Sequence, residues 1–487
     1  MTLDAVFRLH ARTRPDKLAL IDGSRRFGFA QLDRMIDGAA HHLAALGVQR
    51  GEIVGVALAD TAEHLVALLA LARLGGVVLP MDCRWQRAEK RNLADQFGAA
   101  HVLLEADDPD AGAPGWHALP PGWAAESATP YHDPAVTAES PFVLSLSSGT
   151  TGLPKGPLAS HQRFENRFMV YWINLGLNAH DTYVNATPLY FGGGRGFSLA
   201  MLHCGGTVSL VSPRAGMREL AEHIAAVRGT ALFLVPTQIR RALQEALPAP
   251  AFPSLRVLIS SGSALHPDER LAIQQRLTPN LFEMYSSTEG GGISVLSPAD
   301  CALHGDSVGR PAFRVQVEIV DETHAPLPPG EVGRLRYRSP ASATGYYRAE
   351  GEEASRAEGG DAFRDGWFYP GDLARMGPDG FLFLSGRAKD MIIRGGINIY
   401  PQDIERVLLD LPGVRDACVA GMPAAEMGEE VAAFIVGDTT EQAVRDACRA
   451  RLAPYKVPKL IRFVPEIPRN GAGKALKPQL VASLAPS

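Results

Sequence analysis

Cysteine is scarce in this chain: five in 487 residues, at Cys83, Cys204, Cys301, Cys418 and Cys448, with no CxxC pair among them. Such scattering excludes a zinc ribbon and a disulfide framework, and predicts buried free thiols in a reducing compartment. Strong charge of either sign is also missing. The 48 lysines and arginines nearly balance the 53 acidic residues, leaving a net charge of −5, so there is no general electrostatic case for nucleic-acid binding. Long apolar runs are absent. The most hydrophobic window, Leu65 to Leu79, is cut by Arg73 and the Gly75-Gly76 pair, and is too short to span a bilayer. Near the N-terminus Asp4, Arg8, His10, Arg12 and Arg14 interrupt any apolar leader, and a cytoplasmic location is expected. The Gly192-Gly193-Gly194-Arg195-Gly196-Phe197 run ends in phenylalanine, so the GxGxxG fingerprint of a dinucleotide-binding dehydrogenase is absent.

What is present is enough chain for two or more cores, with 46% hydrophobic and 21% charged residues, ordinary values for a globular protein. Apolar runs at Ile53–Ala59, Val77–Leu79, Ala231–Val235 and Arg256–Ser260 read as buried strands. Helical patterns follow at Glu63–Arg73, Arg87–Phe97, Thr237–Leu247 and Pro267–Leu277. This alternation predicts mostly parallel sheets layered with helices. Residues Ala106–Pro141, rich in Ala, Pro and Gly, read as a surface loop. Beyond about residue 305 the alternation becomes antiparallel in character, at Val315–Val320 and Val332–Ser339 with a Pro326–Gly330 turn, and a small β-barrel-like subdomain is expected. From Gln402 a short α+β pattern begins, the right size for a small separate domain. We expect residues 1–388 to form one domain and 389–487 a mobile second one.

Chemistry concentrates in the Ser147-Ser148-Gly149-Thr150-Thr151-Gly152-Leu153-Pro154-Lys155-Gly156 stretch, which follows the apolar Phe142–Leu146 run. Glycines let backbone amides turn inward around an anion, hydroxyls add donors, and lysine brings a mobile positive charge. The Walker spacing fails, because Pro154 precedes the lysine and Gly156 follows it, which excludes an ordinary kinase or GTPase loop. Four further segments share this polar, glycine-rich character. They are Tyr285-Ser286-Ser287-Thr288-Glu289-Gly290-Gly291-Gly292, Trp367-Phe368-Tyr369-Pro370-Gly371-Asp372, Gly386–Asp390 with Arg394–Pro401, and Pro468–Lys474. Each alone fits a capped loop, a turn aspartate, a solvated linker or a basic tail.

Together, in this order and spacing, they resemble the adenylate-forming superfamily of AMP-forming acyl-CoA synthetases, carrier-loading adenylation domains and luciferases. The resemblance runs from Thr13-Arg14-Pro15-Asp16 to the Lys474 loop and is nearest to acyl- and aryl-CoA ligases. It implies an enzyme that spends ATP, with Mg2+, on a carboxylic acid to form an acyl-adenylate and pyrophosphate, then passes the acyl group to coenzyme A and releases AMP. The rival readings are loading of a phosphopantetheinyl carrier protein and a silent nucleotide-binding homologue. No nucleic acid and no membrane span are expected, and the chain is expected to be a monomer or homodimer.

Residue by residue, the resemblance assigns the phosphate grip to Ser147, Ser148, Gly149, Thr150, Thr151, Gly152 and Lys155. It places Gly262-Ser263-Ala264 at the adenine edge and gives Tyr285 the stacking face beside Ser286. Thr288 would contact the α-phosphate and Glu289 would hold magnesium. Asp372 would take the ribose with Arg387 beside it. Lys474 would bridge carboxylate and α-phosphate, and Lys389 would be the hinge about which the small domain swings. Gly395 and Gly396 would line the pantetheine channel. The acyl pocket is expected at Tyr190, Phe191, Gly192, Gly193, Gly194, Gly290, Gly291 and Gly292, whose glycines should leave volume for a ring or chain. Arg195 is either a partner for a second carboxylate or a surface or structural arginine. Two departures stand out: Phe191 replaces a common histidine, so it gates without hydrogen bonding, and Pro370 replaces the usual threonine. Arg449, Arg451, Lys456 and Lys459 suit either a CoA phosphate or a solvated face.

Overall fold

The computed structural model describes residues 1–148, 154–347, 362–395, 397–424, 426–469 and 475–484. The tip of the Ser147–Gly156 loop, Gly396 and Lys474 therefore lie outside the described residues. The mixed α/β architecture expected from the sequence is present. A nine-stranded sheet is parallel through its centre, where Thr182–Asn185 lies between Thr207–Leu210 and Ala231–Leu234, followed by Val257–Ser260 and Leu281–Ser287. A six-stranded sheet carries Ile53–Ala57 and Val77–Pro80 in parallel. These strands are buried at every position, which is why they read as continuous apolar runs and not as alternating ones.

Helices cover the sheets. Ala62–Leu74 is buried along nearly its whole length and stops at Gly75, whose φ of +86° is the left-handed cap that glycine adopts without strain. Gly192–His203 is likewise buried from Gly194 onward. It packs on strands of the nine-stranded sheet and on the helices Leu3–Thr13 and His161–Asn174. Its interior position makes the polar side chains on it unusual.

The Ala106–Pro141 expectation needs correction. Trp116–Ala118 adds a parallel strand at the edge of the six-stranded sheet beside His101–Leu104. Trp116, Leu119 and Ala124 are buried, with the Arg91 guanidinium 5.3 Å from the Trp116 ring centre. Alanine and proline lowered the apparent order of a segment that Trp116 and Leu119 hold down.

An antiparallel sheet follows, built on Gln316–Val320 against Gly333–Arg338 and on Asp372–Met376 against Leu382–Arg387. The last sheet pairs Val414–Ala424 with Gly428–Gly437, adds Leu460–Phe463 in parallel, and has its own apolar cores. Three cysteines are buried and two half-buried, all free thiols.

Candidate active site

The phosphate-loop candidate is a β-ribbon at its base: Ser147 pairs with Lys155 and Ser148 with Pro154. Gly149 to Leu153 lie outside the described residues. Gly156 is fixed by close approach, since a Cβ there would meet Leu144 Cδ2 at 2.6 Å and Ser145 O at 2.9 Å. The ribbon thus hangs on the Pro141–Leu144 strand, and Lys155 Nζ lies 5.8 Å from the Tyr346 ring centre. Tyr346 in turn donates its hydroxyl proton to Glu289 Oε1 at 3.0 Å. Lys155 and Glu289, far apart in sequence, are brought to the same tyrosine side chain.

Glu289 is buried and sits in the turn between the antiparallel strands Leu281–Ser287 and Gly291–Leu296. Ser287 Oγ caps that turn by accepting from Gly290 N at 3.1 Å and lies 2.5 Å from the Tyr337 hydroxyl. Ser286 Oγ is 2.9 Å from Ser261 Oγ, which joins this motif to Gly262-Ser263-Ala264. The hydroxyls of Ser260 and Ser263 are buried and have no partner. Two orphaned donors beside the expected adenine edge fit a nucleotide, because buried polar atoms are otherwise satisfied. Among the described residues no cluster of three His, Cys, Asp or Glu could hold a metal. A single carboxylate at Glu289 suits magnesium, which takes one or two protein carboxylates and leaves the rest to water and phosphate oxygens.

Asp372 and Arg387 are direct cross-strand partners. Arg387 Nε is 2.8 Å from Asp372 Oδ1, and its Nη1 donates to the Pro370 carbonyl at 2.8 Å. The Pro370 departure is thereby explained: the arginine uses the backbone oxygen at that position, which proline retains. The Tyr285 hydroxyl donates to Asp372 Oδ2, and burial together with that carboxylate holds the phenol well above its ordinary pKa. Adenine-edge, ribose and magnesium candidates therefore meet through Tyr285, Ser286 and Glu289.

The acyl side departs from expectation. Phe191 is the N-cap of the Gly192–His203 helix, its ring 4.5 Å from that of Tyr190, which lies 6.2 Å from Trp85. Leu189 N donates to Asp60 Oδ1 at 2.5 Å. Tyr190 is pushed up to about 12 by burial and by Asp82. Two carboxylates and a tryptophan thus fix the loop that carries the gate. The glycines do not simply leave volume. A Cβ on Gly193 would sit 2.6 Å from Phe233, one on Gly290 would sit 2.4 Å from the Tyr337 hydroxyl, and one on Gly291 would sit 3.1 Å from Arg167 Cγ. Only at Gly192 is the space open. Glycine here admits close neighbours, and the pocket is tighter than composition implies.

Arg195 is not at the surface. It is 2% exposed, and its Nη1 donates to the carbonyls of Tyr190 at 2.8 Å and Leu189 at 3.2 Å. Burial, and the like charge of Arg167, lower its pKa to about 10.

Of the remaining candidates, Lys389 lies in a single 3-10 turn, Ala388–Asp390, directly after the strand ending at Arg387. Gly395, at φ +56°, turns the hairpin between Ile392–Arg394 and Ile397–Ile399. Arg469 forms an isolated β-bridge with Ala475 and has its Nη2 on both oxygens of Asp416. Arg449 pairs with Asp446, Arg451 with Asp410 and Lys456 with Asp403, so these three belong to a paired, solvated face. The residues that sequence reading missed are Asp60, Arg167, Phe233, Tyr337 and Tyr346. Only Tyr346 carried a signal, in the Gly345-Tyr346-Tyr347 run; the others sit in ordinary helices, strands and loop ends.

Known proteins match this chain over nearly its whole length. Residues 7–347 match the family model described as AMP-binding enzyme, and residues 403–474 match that of the AMP-binding enzyme C-terminal domain. A 2-succinylbenzoate–CoA ligase of Bacillus cereus is 30% identical over 476 residues, covering 96% of this chain and 95% of that protein. An indoleacetate–CoA ligase of Aromatoleum aromaticum is 30% identical over 500 residues, with 97% of each chain covered. ATP-bound MatB from Rhodopseudomonas palustris superposes with a TM-score of 0.89 at 27% identity over 99% of both chains. The o-succinylbenzoate CoA synthetase of Bacillus subtilis, with its acyl-adenylate intermediate, gives 0.85 at 26% identity over 98% and 97%.

Proposed function

Since this chain belongs to the AMP-binding enzyme family, we propose that it is an AMP-forming acid–thiol ligase. It activates a carboxylic acid with ATP to an acyl-adenylate, releasing pyrophosphate, and then transfers the acyl group to coenzyme A, releasing AMP. The observation that carries this reading is the convergence of Tyr285, Asp372 and Arg387 with the Ser286–Ser261 contact and Glu289, in a chain whose full-length relatives are CoA ligases.

A carboxylate is a weak electrophile, and its oxygen a poor leaving group. Attack of the acid on the α-phosphate yields a mixed anhydride whose leaving group is AMP. The protein must hold two anions together and neutralise the charge that builds on phosphorus. Asp372 accepts the ribose hydroxyls, with Tyr285 and Arg387 each engaging one of its oxygens beforehand. Ser263 and its neighbours border the base. Lys155 and the ribbon it belongs to hold the terminal phosphates, and Thr288 donates to the α-phosphate; Glu289 is the residue that would hold magnesium, which would neutralise phosphate charge. Lys474 supplies the cation between the acid and the α-phosphate. Phe191 closes the acyl side sterically. Residues 389–487 form the mobile domain, turning about Lys389 so that Lys474 withdraws and the Gly395 hairpin approaches.

The test is acid-dependent pyrophosphate release from ATP, with and without CoA, over fatty acids, benzoates, cinnamates and diacids. AMP and an acyl-CoA as products support the reading; nucleotide binding without turnover of any acid overturns it.

A further inference from the structure

Residues 339–347 leave the strand Gly333–Arg338 and are fastened to both halves of the phosphate side of the site. Ala343 N donates to the Glu289 carbonyl at 2.8 Å, and Tyr347 N donates to the Gly156 carbonyl at 2.8 Å. Glu289 belongs to the carboxylate turn and Gly156 directly follows Lys155, so one short segment spans the two. Further ties hold it to neighbouring helices. Asn166 Nδ2 donates to the Pro340 carbonyl at 3.3 Å, and Arg163 Nη2 donates to Thr344 Oγ1 at 3.4 Å. The Tyr347 ring stacks on Phe97 with centres 6.4 Å apart.

Tyr346 lies between the two backbone ties. Its hydroxyl donates to Glu289 Oε1 at 3.0 Å, and Lys155 Nζ lies 5.8 Å from its ring centre. The ring itself meets Phe363 edge-on, with centres 5.2 Å apart, a favourable aromatic geometry. Tyrosine has fewer side-chain rotors than either glutamate or lysine, so a ring held in this way restricts both flexible partners. The hydroxyl restrains the carboxyl by a hydrogen bond, and the ring attracts the ammonium through its negative face.

We propose that Tyr346 is a positioning residue for nucleotide binding: its hydroxyl holds the Glu289 carboxyl in place for magnesium, and its ring holds Lys155 beside that carboxyl. The proposal rests on the nucleotide-binding part of the reading above. Magnesium tolerates little error in ligand placement and keeps several of its waters, so a protein that offers it one carboxylate contributes chiefly by having that group in place beforehand. Tyr346 acts through Glu289 and Lys155, not by touching the nucleotide.

The experiment titrates ATP into the full chain by calorimetry, once with excess Mg2+ and once with EDTA, and reads the ratio of the two affinities. Tyr346→Phe removes the hydroxyl and keeps the ring. We expect the ratio to fall by about tenfold, the effect of losing a hydrogen bond to a charged group, while the affinity for metal-free ATP stays within about twofold. Tyr346→Leu removes the ring as well, and metal-free ATP should then also bind more weakly, because Lys155 loses its support. Tyr346→Phe in a Glu289→Gln background should leave the ratio where Glu289→Gln alone sets it, as a tyrosine acting through that carboxyl requires. An unchanged ratio in Tyr346→Phe overturns the proposal, as does a full further loss in the Glu289→Gln background. A lower Tm with both affinities weakened in proportion shows packing alone and overturns it too. So does equal affinity of the unmodified protein for ATP with and without metal. All four leave the ligase reading intact. The expected fall in a protein that activates no acid supports this inference and removes the ligase reading. No ATP binding by the unmodified protein under either condition overturns both.

Discussion

The Tyr285 hydroxyl donates to the carboxylate of Asp372, 87 residues further along the chain. Arg387 holds the other oxygen of that carboxylate at 2.8 Å. Each oxygen is thus engaged before any nucleotide arrives, which fixes the rotamer of the carboxylate. An aspartate on a turn would otherwise lose rotamer freedom on binding a diol. Tyr285→Phe removes one fixing bond while keeping the ring. We expect the KM for ATP to rise about tenfold, the equivalent of roughly 1.4 kcal/mol, with the KM for the acid little changed. Asp372→Asn should cost more, because it also leaves Arg387 facing a neutral group. Isothermal titration of ATP into both variants checks the order; an unaltered affinity in Tyr285→Phe would remove the positioning role.

Asp60 offers a second point of control. It is pushed above the ordinary carboxylate range by burial, opposed by the Leu189 N–H that it accepts. As pH falls, Asp60 protonates before an exposed aspartate would, and the charge-assisted bond to the gate loop weakens. The kcat/KM for the acid should therefore show an acidic limb, set above the usual aspartate range. Asp60→Asn should abolish that limb and raise the KM for the acid by about tenfold, since hydrogen bonds to charged groups contribute about 1.5–3 kcal/mol. The KM for ATP should not follow. Retention of the limb in the variant would assign it to another group.

Stability should fall on mild acidification for a different reason. His64 and His161 are both lowered to about 4 by burial. The Nε2 atoms of both are buried and unpartnered, and His161 Nδ1 accepts from Leu3 N at 3.4 Å. Both rings are neutral in the folded state. Between the unfolded pKa near 6.5 and the folded value near 4, the unfolded chain binds more protons, so stability rises with pH across that window and is lost as pH drops through it. Each histidine contributes up to about 3 kcal/mol. Urea midpoints at pH 7, 6 and 5 should decline in steps, and His161→Gln should flatten the decline. A midpoint independent of pH over this range would contradict the assignment.

Much of the fold was legible because burial writes itself into sequence. Fully covered strands such as Ile53–Ala57 and Val77–Pro80 are continuous apolar runs, and the Arg87–Phe97 helix falls at the expected residues. The Ala106–Pro141 segment misled because its order comes from Trp116 and Leu119 reaching a distant sheet edge, which no local pattern encodes. In the site, motifs made of rare residue types (Asp372, Glu289, Tyr285) could be read directly. Arg195 could be named but not placed, since a buried arginine looks like an exposed one in a sequence. Asp60 and Arg167 were invisible for a related reason: their importance lies in backbone groups they reach across the fold. The glycines were read as empty space, and the structure fills most of that space with Phe233, Tyr337 and Arg167.

Lys389 carries the last prediction. It occupies the middle of the Ala388–Asp390 turn, after a strand fixed to Asp372 by Arg387 and before the Ile392–Arg394 strand of the small domain's sheet. Ala388 N donates to the Gly371 carbonyl at 2.9 Å, which anchors the residue just before Lys389 to the ribose-side turn. On the proposed hinge reading, rotation of residues 389–487 would be absorbed at or after Lys389. Proline there locks φ near −65° and also restricts Ala388, yet the geometry of a 3-10 turn tolerates that φ. Lys389→Pro should consequently fold, bind ATP and release pyrophosphate at close to the normal rate when the adenylate is trapped by hydroxylamine. Acyl-CoA formation, which requires the swing if Lys389 is the proposed hinge, should slow by about a hundredfold, corresponding to roughly 2.7 kcal/mol of added barrier. Equal slowing of both half-reactions would argue against a hinge role for Lys389.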